Sequence, residues 1–316
     1  MTVHQSFGTP AVILGRVRVR GTRAVARLVA MAAPAGAAPR EVERTCAVVL
    51  FARLPVPGKV KTRLAAGVGA EAAASFYRRV AERAFAATAA CASTRSRTLF
   101  FSDASEARGI ERWVADAGDA GMRLAPQCAS RDLGDRMRHA LNHALATGGE
   151  DGGPCDRAVV VGTDVPDLDA AHVDAAAELL ERHDVVFGPA VDGGYYLLGV
   201  RRRRDPSDPS DPSDDDDDDP SDSPSSASES AGGAHPALFR GVPWSTSTVL
   251  RDSVAAANGA GLRVAPVDAL PTLRDVDTRD ELAAWVREAE ARGGHPLIRV
   301  AEETLAGRRA GDGERG

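Results

Sequence analysis

The stretch that decides the fold is Ala158-Val-Val-Val-Gly-Thr-Asp-Val-Pro-Asp-Leu168. Its four leading apolar residues, 158–161, form the short continuous run expected of a parallel strand covered on both faces. Gly162 frees the backbone, and Thr163 and Asp164 follow at once. A carboxylate is thereby set just beyond the carboxyl end of a central strand, where open α/β sheets bind ligands. Pro166 fixes the turn, and Asp169 is a candidate cap for a helix through 175–182. Asp164 thus has two readings: a ligand for a divalent metal on nucleotide phosphates, or the cap of a turn.

Upstream, Cys46-Ala-Val-Val-Leu-Phe-Ala52 is a second buried-strand run, leading into Arg53-Leu-Pro-Val-Pro-Gly-Lys-Val-Lys-Thr-Arg-Leu64. Four cations (Arg53, Lys59, Lys61 and Arg63) lie on a loop shaped by Pro55, Pro57 and Gly58. Such a loop suits a polyphosphate, because glycine lets the backbone approach, N–H groups point inward and cations neutralise the anion. It lacks the G-x-x-x-x-G-K-[ST] pattern of a Walker A loop. The plainer reading is a solvated basic turn.

Between these strands the patterning predicts helices over 70–91 and 105–117 and strands over 97–102 and 122–126. The segment 132–147 repeats Leu133, Met137, Leu141 and Leu145 on one helical face, which packs inward. His139 and His143, four apart, could hold a metal from one face, but no third ligand stands nearby and surface histidines are the simpler reading. Downstream, Asp184–Val200 reads as two strands, 185–188 and 195–200, around the tight-loop signal Asp192-Gly193-Gly194. Asp192 is the only carboxylate between the first of these strands and the acidic tract, so it is a candidate general base for an acceptor hydroxyl. Gly193 and Gly194 leave room for a ligand, and Tyr195 and Tyr196 could stack on a sugar; alternatively Asp192 only starts the turn. Gly241-Val-Pro-Trp-Ser-Thr246 then leads to a helix near 246–257 and a strand at 262–266. Asp275 and Asp277 stand before a helix over 281–292 with Thr278 as a plausible N-cap. There a second carboxylate could meet Asp164 and share one hard cation.

Composition bounds the class. The formal net charge is −6, but two segments set it: residues 1–40 hold six arginines and no acid, and residues 205–230 hold ten aspartates and Glu229. The remaining body is nearly neutral, so nothing calls for a nucleic-acid partner. Cys46, Cys91, Cys128 and Cys155 are widely spaced and read as reduced thiols of a cytoplasmic protein. No run of 18 apolar residues predicts a membrane span. The leader, 1–44, is expected to be disordered or a mis-called extension. It has the arginine-rich composition of a transit peptide, and Met31 offers a second start. The tract 201–235 is expected to be a disordered acidic insertion, and 307–316 a frayed tail.

The motifs FARLPVPGKVKTRLA, DLGDRM, VVVGTDVPDL, VFGPAVDGGYYLLG, VPWSTSTVL and LRDVDTRDEL occur in that order. Together they resemble a glycosyltransferase-like family associated with arsenosugar biosynthesis. That family belongs to the nucleotide-diphospho-sugar transferase superfamily and is related to phospholactate guanylyltransferases and molybdenum-cofactor nucleotidyltransferases. The resemblance covers about 46–305. It implies an α/β fold: a single Rossmann-like GT-A domain over 45–306, with a mostly parallel central sheet flanked by helices. It also implies that Lys59, Lys61 and Arg63 lie near nucleotide phosphates and that Asp164 and Asp277 hold Mg²⁺ or Mn²⁺. Gly134, Thr163, Gly193, Gly194, Tyr195 and Trp244 join Arg53, Gly58 and the loop cations as substrate-binding candidates, and Lys61 and Asp192 are the catalytic candidates. The leading expectation is a metal-dependent glycosyltransferase using a nucleotide-activated sugar and a small-molecule acceptor. The alternative is a nucleotidyltransferase that joins a nucleoside triphosphate to a phosphorylated acceptor and releases pyrophosphate. A third reading, a nucleotide-binding regulatory module, is disfavoured by the acids at both expected metal positions.

Overall fold

Apolar runs too continuous for a one-sided sheet dictate the architecture. The computed structural model describes residues 46–203 and 232–307. The expectations for the leader, for most of the acidic tract and for the tail beyond 307 fall outside the described residues. Two central strands, β1 (Cys46–Ala52) and β4 (Arg157–Gly162), pair in parallel. β2 (Thr94–Phe101) and β3 (Arg123–Pro126) extend the parallel sheet beyond β1. On the other side β6 (Tyr195–Arg201) runs antiparallel to β4, and β5 (Val185–Pro189) antiparallel to β6. The order is β3-β2-β1-β4-β6-β5, so β6 alone among the described strands runs against the rest.

Strand alternation sends side chains to two different cores. Val48 and Leu50 of β1 and Val159 and Val161 of β4 face one layer. That layer is built by α2 (Ala70–Ala90), α3 (Ala107–Asp116) and α5 (Ala170–Leu179). Ala47, Val49, Ala158 and Val160 face the other, under α4 (Leu133–Thr147) and α6 (Val249–Gly259). With helices on both faces, the central strands β1 and β4 are buried almost throughout, and their sequence reads apolar without alternation. The spacing of Leu133, Met137, Leu141 and Leu145 does turn one face of α4 into this second core.

A third cluster joins α1 (Thr62–Val68), α2, α7 (Arg279–Ala291) and α8 (Ile298–Ala306). Phe76 and Val80 of α2 pack here, whereas its Tyr77 and Phe85 serve the sheet. Trp285 of α7 is fully buried in this cluster, and truncating such a residue costs about 3–5 kcal/mol. Its Nε1–H donates to Asp167 Oδ2 at 3.0 Å, and Arg292 donates to the same carboxylate at 2.9 Å. The turn after β4 is thereby bolted to α7.

Several boundaries differ from expectation for identifiable reasons. Asp169 caps α5 as expected, accepting from Ala171 N–H at 3.0 Å, but the helix begins at Ala170 rather than near 175. The strand expected at 262–266 is reduced to a single bridge from Val264 to Val185. Asp184 there captures both the backbone N–H and the guanidinium of Arg263, and Pro266 offers no donor to continue a ladder. The short helices α1 and α8 were hidden, the first inside the basic motif. The ends of the acidic tract belong to the fold: Arg201 closes β6, Arg203 N–H donates to Gly233 C=O at 3.1 Å, and Ala234 is buried. All four cysteines are free. No described helix is long and apolar enough to cross a membrane.

Candidate functional site

β1 and β4 are adjacent and parallel, so their carboxyl ends deliver the basic loop and the Thr163–Leu168 turn to one edge of the sheet. The join is locked by a hydrogen-bond chain. Arg53 N–H donates to the Tyr77 hydroxyl at 3.0 Å, Tyr77 meets Thr163 Oγ1 at 3.2 Å, and Thr163 donates to Phe51 C=O at 2.7 Å. Burial holds the Tyr77 hydroxyl above its ordinary pKa. Thr163 is itself buried, so its hydroxyl is spent on fastening two strands and a helix. Tyr77 escaped the sequence reading because nothing in α2 marks one aromatic among its apolar residues.

The basic loop turns at Gly58, whose φ of +79° suits glycine, in open space. It ends at Lys61, which adopts left-handed φ 44°, ψ 48° as the N-cap of α1. A non-glycine residue held this way costs about 1–3 kcal/mol and persists only where its surroundings over-determine it. Here they do: Lys61 Nζ lies 3.1 Å from Asp164 Oδ2 and 2.7 Å from Asp277 Oδ1, with only 8% of the side chain exposed. Burial alone lowers the ammonium's pKa, but the two carboxylates outweigh it and hold the group above the ordinary lysine range.

Asp277 is presented by the N-terminus of α7. Its N–H and that of Thr278 donate to Glu281 Oε2 at 2.9 and 2.8 Å, and Thr278 Oγ1 accepts from Glu281 N–H, a capping box. Arg63 also pairs with Asp277. Burial raises the Asp277 carboxyl, but the Lys61 and Arg63 charges prevail and hold it below its usual range. Asp275, two residues earlier, is pushed up to about 6 by burial and by the charges of Asp164 and Asp192. A hard divalent ion takes carboxylate oxygens, and Asp164 and Asp277 each aim one at a single point, here held by the Lys61 ammonium. The donor set therefore fits such an ion, although among the described residues no three His, Cys, Asp or Glu side chains form a metal cage.

These groups border a cleft of about 570 Å³. Arg53, Lys59, Lys61, Arg63, Thr163, Asp164, Tyr195 and Asp277 are on its lining; Gly58, Gly134, Asp192, Gly193, Gly194 and Trp244 are not. Gly134 and Trp244 instead meet each other, since a Cβ on Gly134 would lie 2.7 Å from Trp244 Cζ2. Gly193, at φ +88°, lets the turn approach Ser247, whose carbonyl would sit 2.0 Å from an added Cβ. Asp192 Oδ1 accepts from Gly194 N–H at 2.9 Å. Tyr195 and Tyr196 point to opposite faces of the sheet, packing against Phe187 and His172 respectively, so they cannot stack on one sugar together. His139 and His143 lie edge-on to Phe100.

The far wall carries two further residues, Gln127 and, within the DLGDRM motif, Arg136, neither singled out among the site candidates. Gln127, just past β3, donates from Nε2 to Phe100 C=O at 3.1 Å, and its Oε1 accepts from Arg136 Nη1 at 3.1 Å. Arg136 stands in the first turns of α4, and its Nε donates to Asp132 C=O at 3.4 Å.

A family profile described as an uncharacterised protein conserved in bacteria (DUF2064) matches residues 85–210. A comparison with curated proteins returned no match. Among solved structures, the chain is similar to a protein of Desulfovibrio desulfuricans G20 provisionally described as a nucleotide-diphospho-sugar transferase. That likeness has 27% identity and a TM-score of 0.63, over 83% of this chain and 96% of that one. A more distant likeness is to a nucleotidyl transferase from Methanothermobacter, at 12% identity and TM-score 0.40, over 79% of this chain and 99% of that one. The fold is that of the nucleotide-diphospho-sugar transferases, a mostly parallel six-stranded sheet between helices.

Proposed function

We propose that this chain is a metal-dependent glycosyltransferase that uses a nucleotide-activated sugar. The observation that carries the reading is the convergence of Lys61, Asp164 and Asp277 at the carboxyl ends of β1 and β4, inside a cleft. The Desulfovibrio likeness, at 27% identity, supports it.

In this reading Asp164 and Asp277 would hold Mg²⁺ or Mn²⁺, hard cations that take carboxylate oxygens. When bound, the ion neutralises charge on the leaving diphosphate. The protein's own residues do the positioning. Lys61, released from the carboxylates, follows the phosphates as a buried ammonium with three donors. Arg63, 72% exposed, closes on them from the rim. Arg53 adds a further cation at the mouth. Asp192 orients the acceptor hydroxyl and accepts its proton.

The test is a thermal-shift screen of nucleoside diphosphates and nucleotide sugars with and without Mn²⁺, since a ligand that binds the native state raises its midpoint. At least one nucleotide should raise the midpoint more with Mn²⁺ than without, and Asp164→Asn should abolish the Mn²⁺ increment while keeping the unliganded midpoint. A wild-type chain that no nucleotide stabilises would overturn the proposal. Product analysis then separates the chemistries: nucleoside diphosphate marks glycosyl transfer, whereas pyrophosphate from a triphosphate marks nucleotidyl transfer.

A further inference from the structure

Five cations line the cleft, and three of them are neutralised by the protein: Lys59 by Glu106, Lys61 by Asp164 and Asp277, and Arg63 by Asp277. Arg53 and Arg136 have no ion-pair partner among the described residues. Arg53 sits at the exposed rim, whereas Arg136 is half-buried and held in place. Its Nη1 donates to a glutamine whose own amide is fixed by Phe100 C=O, and its Nε faces the Asp132 carbonyl. The α4 amide next to it is already capped, since Asp132 accepts from Asp135 N–H at 2.9 Å. The group aimed at a ligand is therefore a planar guanidinium with spare N–H donors.

Its position shows what it would meet. Gln127 follows β3 and Asp164 follows β4, three strand spacings apart in the order β3-β2-β1-β4, or roughly 14 Å. That is too far for a diphosphate anchored at Lys61 to touch both ends. It suits the opposite end of a nucleotide lying across the strand tips. Phe51, Leu133 and Met137 also line the cleft and belong to the apolar cluster under α4, and they offer apolar contact to a flat ring. We infer that Arg136, oriented by Gln127, reads the base of the nucleotide and selects one that presents acceptors. This inference rests on the proposed nucleotide site. Guanine, with O6 and N7 side by side, takes a guanidinium in two hydrogen bonds, whereas adenine sets an amino donor beside N7. Uracil offers a carbonyl where cytosine offers an amino group.

The test is calorimetric titration of GDP, UDP, CDP and ADP, each with Mn²⁺, into the wild-type chain, Arg136→Met and Arg136→Lys. The wild type should bind GDP at least tenfold more tightly than ADP. Arg136→Met should bring the four nucleotides within about threefold of one another, and Arg136→Lys should recover part of the preference. Unliganded melting midpoints matching the wild type confirm that both variants fold. A wild type without base preference overturns the inference, as does a preference that survives in Arg136→Met. Equal weakening of all four nucleotides by Arg136→Met also overturns it, and would make the residue a phosphate contact. These outcomes leave the nucleotide site intact; if no nucleotide binds the wild type, the proposed function falls as well.

Discussion

The two walls of the cleft are built on opposite electrostatic principles. On the β4 wall the cations beside the carboxylates are answered: Lys61 lies between Asp164 and Asp277, and Arg63 joins Asp277. On the β3 wall Arg136 is braced only by neutral acceptors, Gln127 Oε1 and the Asp132 carbonyl. A saturated wall must exchange partners before it can bind, because buried charges are costly to leave unpaired. A braced but unneutralised guanidinium can bind without giving anything up. In the proposed reading, ion and phosphate exchange fall to one wall and recognition to the other.

The largest expected effect lies beside the saturated wall. Asp192→Asn keeps the turn, because asparagine tolerates the same conformations and can still accept from Gly194 N–H. Folding and nucleotide affinity should therefore match the wild type, while turnover falls by about 10²–10⁴ if the carboxylate is the general base. Undiminished turnover would reduce Asp192 to a turn residue. Because it is off the cleft lining, this outcome also reports whether the turn moves toward the acceptor.

Lys61→Met breaks the saturation itself. Nucleotide affinity should weaken by about 1–3 kcal/mol, the range for charge-assisted hydrogen bonds. Without nucleotide, however, Mn²⁺ should bind more tightly, because its internal competitor for Asp164 and Asp277 is gone. Calorimetry of Mn²⁺ with and without nucleotide reads both signs. Affinities that move in the same direction would show that the lysine does not exchange places with an ion.

The smallest effect sharpens the comparison through pH. Asp275 sits at about 6 in the folded chain against an ordinary 3.8, first through burial and then through the neighbouring acids. Between these values the folded chain holds a proton that the unfolded chain has lost, so stability falls as pH rises through the window. Asp275→Asn removes this dependence. Its stability relative to wild type should climb from pH 4 to pH 6 and level off above 7. The gain should be about 1–2 kcal/mol at most, reduced because the side chain is partly exposed to solvent. A difference that is flat with pH would mean that Asp275 is not strained by its neighbours.

Much of the fold was legible because its causes are local. The apolar runs of β1 and β4 announce strands buried on both faces, Asp169 and Thr278 cap the helices they precede, and the four-residue spacing of Leu133 to Leu145 marks the inner face of α4. Placing Asp164 at a strand end needed only the Val-Val-Gly-Thr-Asp order and the rule that ligands gather there. The partners of these residues were not legible. Lys61 meets carboxylates 103 and 216 positions away, and no local spacing encodes such a distance. Gly134 and Gly193 looked like ligand contacts, yet they lie off the cleft lining against a tryptophan and a backbone carbonyl, while Thr163 lines the cleft with its hydroxyl engaged in a strand-to-strand hydrogen bond. Arg136 lies in the DLGDRM motif without being singled out there, and Gln127 carries no motif; only the fold shows that the two meet on the cleft. The sequence by itself determined which segments are strands, which helices cover them and at which edge charge collects, because burial and capping act over a few residues. Only the tertiary structure decided which charges neutralise one another and which are left to face a ligand, because that depends on groups folded together from distant parts of the chain.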